Sequence, residues 1–374
     1  MKNRLFIACA GSGKTTQLVN KALLFKERVL ITTFTQENKN EIIKKVLYLN
    51  NGIIPHNITV STWFSFLIEH GAKPYQGKLT EGRIKGLELV NKKSGVKYIT
   101  TKGVPVPYKE NDVENHYFNK RHEIYSDKLS KFVIKCNEAN SGKVIERISK
   151  IFKHIFIDEV QDLAGYDLKI ISLLLKSDSI ITMVGDPRQV TYHTHFSTKY
   201  GKYKDGMIEE FIKNECSKNQ CEIDLNTLVG SWRNNQIICD FANKVFPEFS
   251  PTISKQEKKV EHEGIFLVRN RDVNNYLLKF NPLQLRYRRN VTGINPNYSV
   301  MNFGEAKGIT VPRVLIYPTA DILLWCGDFK NTRFSFEVKC KFYVALTRAK
   351  YSVGIVCPDN FFSDLIPYFE VRSK

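Results

Sequence analysis

Residues 8–16 read AlaCysAlaGlySerGlyLysThrThr, between a short apolar run, Leu5–Ala8, and a helical pattern that begins near Lys14. A strand, a glycine-bearing loop and a helix start together make a cradle for phosphate. Backbone N–H groups of Ala10, Gly11, Ser12 and Gly13, with the positive end of the helix, face the β- and γ-phosphates of a nucleotide. Lys14 supplies a point charge, the Thr15 hydroxyl suits a Mg²⁺ ion, and Thr16 completes the helix start. The phosphate-loop pattern ordinarily opens on Gly, where this chain has Ala8; the core GlySerGlyLysThr is intact. The competing reading is a glycine-rich turn with a chance Lys, and the strand-then-helix context opposes it.

Outward from the loop, short apolar runs alternate with helical patterns. The runs predict strands at Leu5–Ala8, Val29–Thr33, Ile58–Ser61, His154–Ile157 and Ile180–Val184. Helices are predicted over 14–26, 37–49, 63–70 and 166–176. This alternation marks a parallel sheet with helices on both faces, whose chemistry gathers at the carboxyl ends of strands. A second α/β unit begins near 222, with strands predicted at Ile265–Val268, Val314–Tyr317, Phe342–Leu346 and Ser352–Val356. LeuArgTyrArgArgAsn, 285–290, reads as a basic-aromatic patch between elements. The division this implies is 1–72 with 151–221 as a first domain, 73–150 as an insertion, and 222–374 as a second domain.

Residues 73–150 break the alternation. They hold 17 Lys/Arg and 9 Asp/Glu, a difference of +8, interleaved with Tyr75, Tyr98, Tyr108, Tyr117, Phe118, Tyr125 and Phe132. The segment reads as a basic, largely helical insertion. Such a composition suits a strand-binding surface; taken one by one, most of these tyrosines read as packing a small core.

The whole chain of 374 residues carries a formal charge of +18 with 42% apolar residues, a globular composition whose basic balance points to a polyanion. A solvated lysine-rich surface is the other reading of the charge. Eight cysteines occur without a CysXXCys pair or a matching His motif, so a zinc site is not expected and reduced cytoplasmic thiols are. The apolar run near the start is too short for a signal peptide and feeds directly into the phosphate loop. No stretch approaches the roughly 20 apolar residues of a membrane span, so no membrane partner is expected.

IlePheIleAspGluValGlnAsp, 155–162, is an apolar strand ending in paired carboxylates. Asp158 suits a Mg²⁺ ion and Glu159 suits the activation of an attacking water. Such a pair is common alone; after a phosphate loop, and followed by Gln161 and Asp162, it is informative. ValGlyAspProArgGln, 184–189, repeats the theme on the next strand, and its Gln189 is placed to sense a γ-phosphate. The plain alternative is a Gly-Asp-Pro turn.

With these boxes in order, the chain resembles superfamily 1 helicases of the UvrD/Rep/PcrA group, from Ala8 to about Val356. ThrThrPheThrGlnGluAsnLys, 32–39, and SerThrTrpPheSerPhe, 61–66, look like the family's nucleic-acid-contacting segments, which implies contacts from Thr33, Phe34, Thr62 and Trp63. AspGluValGlnAsp, 158–162, looks like the DExQD box, and GlyAspProArgGlnValThrTyr, 185–192, like GDxxQxxY, which implies a further nucleic-acid contact from Tyr192. SerTrpArgAsnAsn, 231–235, resembles the NYR segment, GluAlaLysGlyIleThr, 305–310, the SKGLE box with Gly308, and ValAlaLeuThrArgAlaLys, 344–350, the VAxTRA box.

The resemblance implies two RecA-like parallel-sheet P-loop NTPase domains with a small, mainly helical insertion in the first. It also implies an ATP-dependent single-stranded DNA translocase, a 3′-5′ DNA helicase, using ATP and Mg²⁺. Lys14, Glu159, Gln189, Arg233 and Arg348 would be catalytic, the two arginines as fingers on the transferring phosphoryl group. Ala10 to Thr16, Gln161 and Gly308 would hold nucleotide, and Thr15 and Asp158 the metal. The implied partners are single-stranded DNA or single/double-strand junctions, and a partner protein in a second reading.

Departures from the family pattern qualify this. Only seven residues precede Ala8, so the glutamine-bearing segment that reads adenine is missing and ATP over GTP is not implied. Thr310 stands at the Glu of SKGLE, Gly304 where a His often occurs, and Thr194 where a Trp follows GDxxQxxY, with His195 and Phe196 as substitutes. About 60 residues separate Asn243 from Asn302, too few for the family's large mobile subdomain. These departures motivate the second reading, a nucleic-acid-sensing ATPase switch that gates a partner in repair or anti-phage defence. A third, a passive binding module, is opposed by the intact Lys14, Asp158, Glu159, Arg233 and Arg348. Asp328 with GluValLys, 337–339, echoes a metal-dependent nuclease; as a short pattern with no fold of its own it weighs little.

Overall fold

The computed structural model describes residues 2–190, 199–217, 220–330 and 334–370. Tyr192, Thr194, His195 and Phe196 fall outside the described residues. The chain divides into two compact units. One comprises Met1–Phe6, Lys14–Pro187 and Tyr192–Asp224, the other Ile7–Gly13, Arg188–Thr191 and Leu225–Lys374.

A six-stranded sheet orders its strands Cys221–Leu228, Asn3–Ala8, Ile180–Gly185, His154–Ile157, Val29–Thr33 and Ile58–Thr62. Val29–Thr33 pairs in parallel with Ile58–Thr62 and with His154–Ile157, which pairs in parallel with Ile180–Gly185. Val29–Thr33 and His154–Ile157 are buried along their whole length. Strands covered on both faces carry near-continuous apolar runs, here Val29–Ile31 and Ile155–Ile157, which is why both are recognisable in the sequence. The helix Lys14–Ala22 is shorter than its pattern, because Leu24 and Phe25 close onto Lys21 and Ala22 with tighter i→i−3 bonds. The stretch 63–70 becomes a short α-helix, Trp63–Phe66, followed by a π-helical turn, Leu67–Ala72.

The segment 73–150 carries two small sheets, Gly86–Glu88 with Glu123–Tyr125 and Val96–Ile99 with Pro105–Pro107. Its helices, Val113–Tyr117, Leu129–Ala139 and Lys143–Ile151, hold more of it and gather toward its C-terminal end. Tyr117 and Phe118 pack edge-on against Phe132 at 5.2 and 5.3 Å, a small aromatic core. Tyr98 does the opposite: it stands 55% exposed on the antiparallel hairpin.

The second unit holds a five-stranded parallel sheet ordered Gly264–Arg269, Ala349–Cys357, Val311–Tyr317, Leu283–Arg286 and Val300–Asn302. Leu285 and Arg286 of the basic-aromatic patch are therefore the end of a strand, and the rest of the patch follows it. The expected strand Phe342–Leu346 is instead the C-terminal part of a helix, Phe336–Leu346, whose N-cap Ser335 accepts from the Val338 N–H at 3.3 Å. Phe342 to Leu346 are all buried, and a helix buried all round shows no 3.6-residue stripe to separate it from a buried strand. The strand comes three residues later, at Ala349–Cys357.

Candidate nucleotide and nucleic-acid site

In the first unit the sheet brings the helix start at Lys14 beside the end of His154–Ile157. Lys14 Nζ pairs with Glu159 Oε1 at 2.5 Å, and the Thr15 hydroxyl donates to Asp158 Oδ2 at 2.9 Å. Asp158 Oδ1 accepts from the Glu159 N–H at 2.9 Å. This bond helps hold Glu159 in a left-handed backbone, φ 56°, uncommon for a residue with a side chain. Gln161 donates from its side-chain amide to Glu159 Oε2 and accepts from the Asp186 N–H at 3.1 Å. It thus ties the acidic pair to the turn after Ile180–Gly185. A Cβ on Gly185 would lie 2.4 Å from Gln161 Oε1, so glycine is what lets the two strand ends meet.

Burial first, and the neighbouring Glu159 charge second, push the Asp158 carboxyl up to about 6. Lys14 and the hydrogen bonds from Thr15 and the Glu159 N–H pull it down. Two adjacent buried carboxylates facing one ammonium and one hydroxyl form a donor set suited to a divalent cation with phosphate oxygens.

In the second unit, Gly11 and Gly13 have φ of +74° and +79°. A Cβ on Gly11 would lie 2.6 Å from Arg233 Cβ and Ser231 Oγ, and the Gly11 carbonyl accepts from the Trp232 N–H at 2.9 Å. The Ala10 N–H donates to Tyr343 Oη at 3.4 Å. Ser12 Oγ is buried with no hydrogen-bond partner, a polar atom suited to a ligand oxygen. Arg233 Nη1 donates to the Thr347 carbonyl at 3.1 Å. Arg348, 1% exposed, donates to the Val344 and Ile309 carbonyls, to Thr347 Oγ1 at 3.0 Å and to Gln189 Oε1 at 3.3 Å. The unit therefore brings Gln189 and Arg348 together. Gly308 lies in the turn before Val311–Tyr317, next to the Ile309 carbonyl that Arg348 reaches.

Of the segments read as contacting nucleic acid, Thr33 and Thr62 end paired parallel strands. Phe34 is half-buried, edge-on to Phe64 at 5.3 Å. Trp63 departs from its expected role. It is 1% exposed and donates its indole N–H to Asp167 Oδ1 at 2.7 Å, so its ring faces are packed rather than offered to a base. Thr33 is likewise buried, with its hydroxyl unpartnered. The nuclease echo is not assembled: Glu337 and Lys339 lie on the helix Phe336–Leu346, and the described residues hold no group of three metal-ligating side chains.

Two neighbours of the glycine-bearing loop go unread in the sequence. Trp232 is 63% exposed beside Gly11, with the Lys255 ammonium 5.2 Å from its ring centre. The aromatic directly before Arg233 was the available signal. Arg188 is buried against Tyr343 and Phe249 and donates to the Ala8 carbonyl at 3.1 Å, fixing the start of the phosphate loop. Nothing in its local sequence separates it from a turn arginine.

The described residues thus form an α/β chain in which a strand–loop–helix suited to phosphate lies beside carboxylates at a strand end. Residues 83–196 match the family described as UvrD/REP helicase N-terminal domain. The family model agrees with the helicase resemblance over that segment, and the fold is mixed α/β, with a six-stranded and a five-stranded sheet among the described residues. No match is found among curated proteins. Among solved structures, the chain is similar to Arterivirus nonstructural protein 10 (helicase), at 14% identity and TM-score 0.46 over 96% of this chain. It is also similar to the complex of that helicase with DNA, at 13% identity and TM-score 0.47 over 95% of this chain. The chain spans 60% of the length of either. Among the described residues no helix is long and apolar enough to cross a membrane.

Proposed function

We propose that this protein is an ATP-driven translocase on single-stranded DNA, a DNA helicase moving 3′ to 5′. The observation that carries the reading is the pairing of Lys14 with Glu159 and of Thr15 with Asp158 in one unit. Mg²⁺, held by Thr15 and Asp158, would neutralise charge on the phosphates. Lys14, which holds Glu159 in the structure, turns to the β- and γ-phosphates and leaves Glu159 to accept a proton from the attacking water. Gln161 keeps Glu159 aimed, and Gln189, Arg233 and Arg348 stabilise the γ-phosphoryl group. Trp232, exposed beside Gly11, offers a face for the base. Phe34, rather than Trp63, stacks on the strand.

The insertion supplies a second contact. From Leu89 to Lys109 it carries Lys92, Lys93, Lys97, Lys102 and Lys109 with no Asp or Glu, and every residue of the strand Val96–Ile99 is exposed. Such a hairpin suits the phosphate backbone beside the tracked strand.

The burial of Trp63 and the short Asn243–Asn302 stretch favour the second reading, an ATPase switch gating a partner protein. One experiment separates the two: displacement of a tightly bound block from either end of a single strand, with Lys14→Ala as control. ATP-dependent displacement from one end only supports the translocase. Nucleic-acid-stimulated hydrolysis without displacement from either end supports the switch.

A further inference from the structure

Asp167 lies outside the nucleotide site, at the start of the helix Tyr166–Leu174, and is 0% exposed. Its Oδ1 accepts the Trp63 indole N–H at 2.7 Å and the Ser130 hydroxyl. Three elements meet on this carboxylate: the segment after Ile58–Thr62, the insertion's helix Leu129–Ala139, and the helix after the acidic box. Burying a carboxylate is costly, and an apolar side chain would close the same packing at lower cost. Charge-assisted bonds to an N–H and an O–H fix direction as well as distance, which apolar packing does not.

Each side of Asp167 leads to a part of the proposed machinery. Trp63 follows Thr62, whose hydroxyl caps its short helix, and Phe64 packs on Phe34. Toward the carboxylates, the Asp167 N–H bonds Ala164, Leu163 bonds Val160, and Asp162 bonds Glu159, at 3.0, 3.1 and 3.0 Å. The chain from Glu159 to Asp167 is thus a run of closed turns with little slack. We propose that Asp167 is a positioning residue that transmits engagement of a nucleic-acid strand at Thr62 and Phe34 to the orientation of Asp158 and Glu159. This rests on the reading of the protein as a nucleic-acid-stimulated ATPase.

The test is steady-state ATP hydrolysis by the full chain, without nucleic acid and over a range of single-stranded oligonucleotide, for wild type, Asp167→Asn and Ser130→Ala. The expected result is a basal rate within about twofold of wild type and maximal stimulation reduced about tenfold in Asp167→Asn, a typical coupling magnitude. Ser130→Ala removes one hydroxyl and is expected to shift stimulation in the same direction, so the inference stays testable if Asp167→Asn folds poorly. Full stimulation in both variants overturns the inference. So does a fall of basal and stimulated rates by one common factor, which marks a packing role alone. A wild type that nucleic acid does not stimulate overturns the functional reading itself, and the two failures are thereby distinguished.

Discussion

Glu159 is held by its backbone as much as by its charge: the left-handed φ, the bond to Asp158 Oδ1, Lys14 at 2.5 Å and the Gln161 amide converge on one carboxylate. In the proposed reading, a base so fixed does not search for its water. Glu159→Gln should lower hydrolysis by about 10²- to 10⁴-fold while nucleotide still binds, read by steady-state turnover beside a fluorescent-nucleotide titration. Retained turnover in that variant would remove Glu159 from the chemistry. Trp232 makes the complementary case, a large aromatic left exposed beside the phosphate loop. Trp232→Ala should leave thermal stability nearly unchanged and weaken nucleotide binding by about 1–3 kcal/mol, the range of base–aromatic stacking. Unchanged affinity in the same titration would show that the ring serves another purpose. At this scale the sequence told residue identity well and exposure poorly. Trp63 and Phe34 both read as stacking aromatics, yet Trp63 is claimed by Asp167, a partner 104 positions away that no local pattern announces.

Elements were legible where burial and period agree. Val29–Thr33 and His154–Ile157 could be read from the sequence because a strand covered on both faces carries a near-continuous apolar run, here Val29–Ile31 and Ile155–Ile157. Phe342–Leu346 could not, since a fully buried helical end carries the same signal. The strand Cys221–Leu228 was missed for the opposite reason: its residues alternate weakly, with polar side chains left exposed. The second unit also holds an acid-sensitive contact. His262 stacks on Phe266 and Phe280 at 4.2 and 4.0 Å, near the charges of Arg313 and Lys279. Burial first, then those two cations, lower its pKa from 6.5 to about 4. Because the unfolded chain takes up this proton more readily, stability should decline as pH falls from about 6.5 toward 4 and should not decline further on this account below that. His262→Phe should flatten that limb in urea melts collected across the range. An acid limb identical to wild type would assign the loss to other groups.

For the whole molecule, the net charge of +18 left a polyanion partner and a solvated surface equally open. The structure sharpens the first by placing lysines without carboxylates on an exposed hairpin, while the insertion's Tyr117, Phe118 and Phe132 turn inward to hold it. If the hairpin touches phosphates, replacing Lys92, Lys97 and Lys102 with Gln should flatten the dependence of binding on salt. The expected change is about 0.7 in slope per lost contact on single strands and about 0.9 on duplex. An unchanged slope would return those lysines to the solvated surface.

The central claim is that nucleotide hydrolysis in this chain answers to nucleic acid. Steady-state ATP hydrolysis with and without single-stranded DNA, in wild type and Lys14→Ala, tests it most directly. Strong stimulation by DNA, lost in Lys14→Ala, is the predicted result; hydrolysis indifferent to DNA, or unaffected by the loss of Lys14, would contradict it.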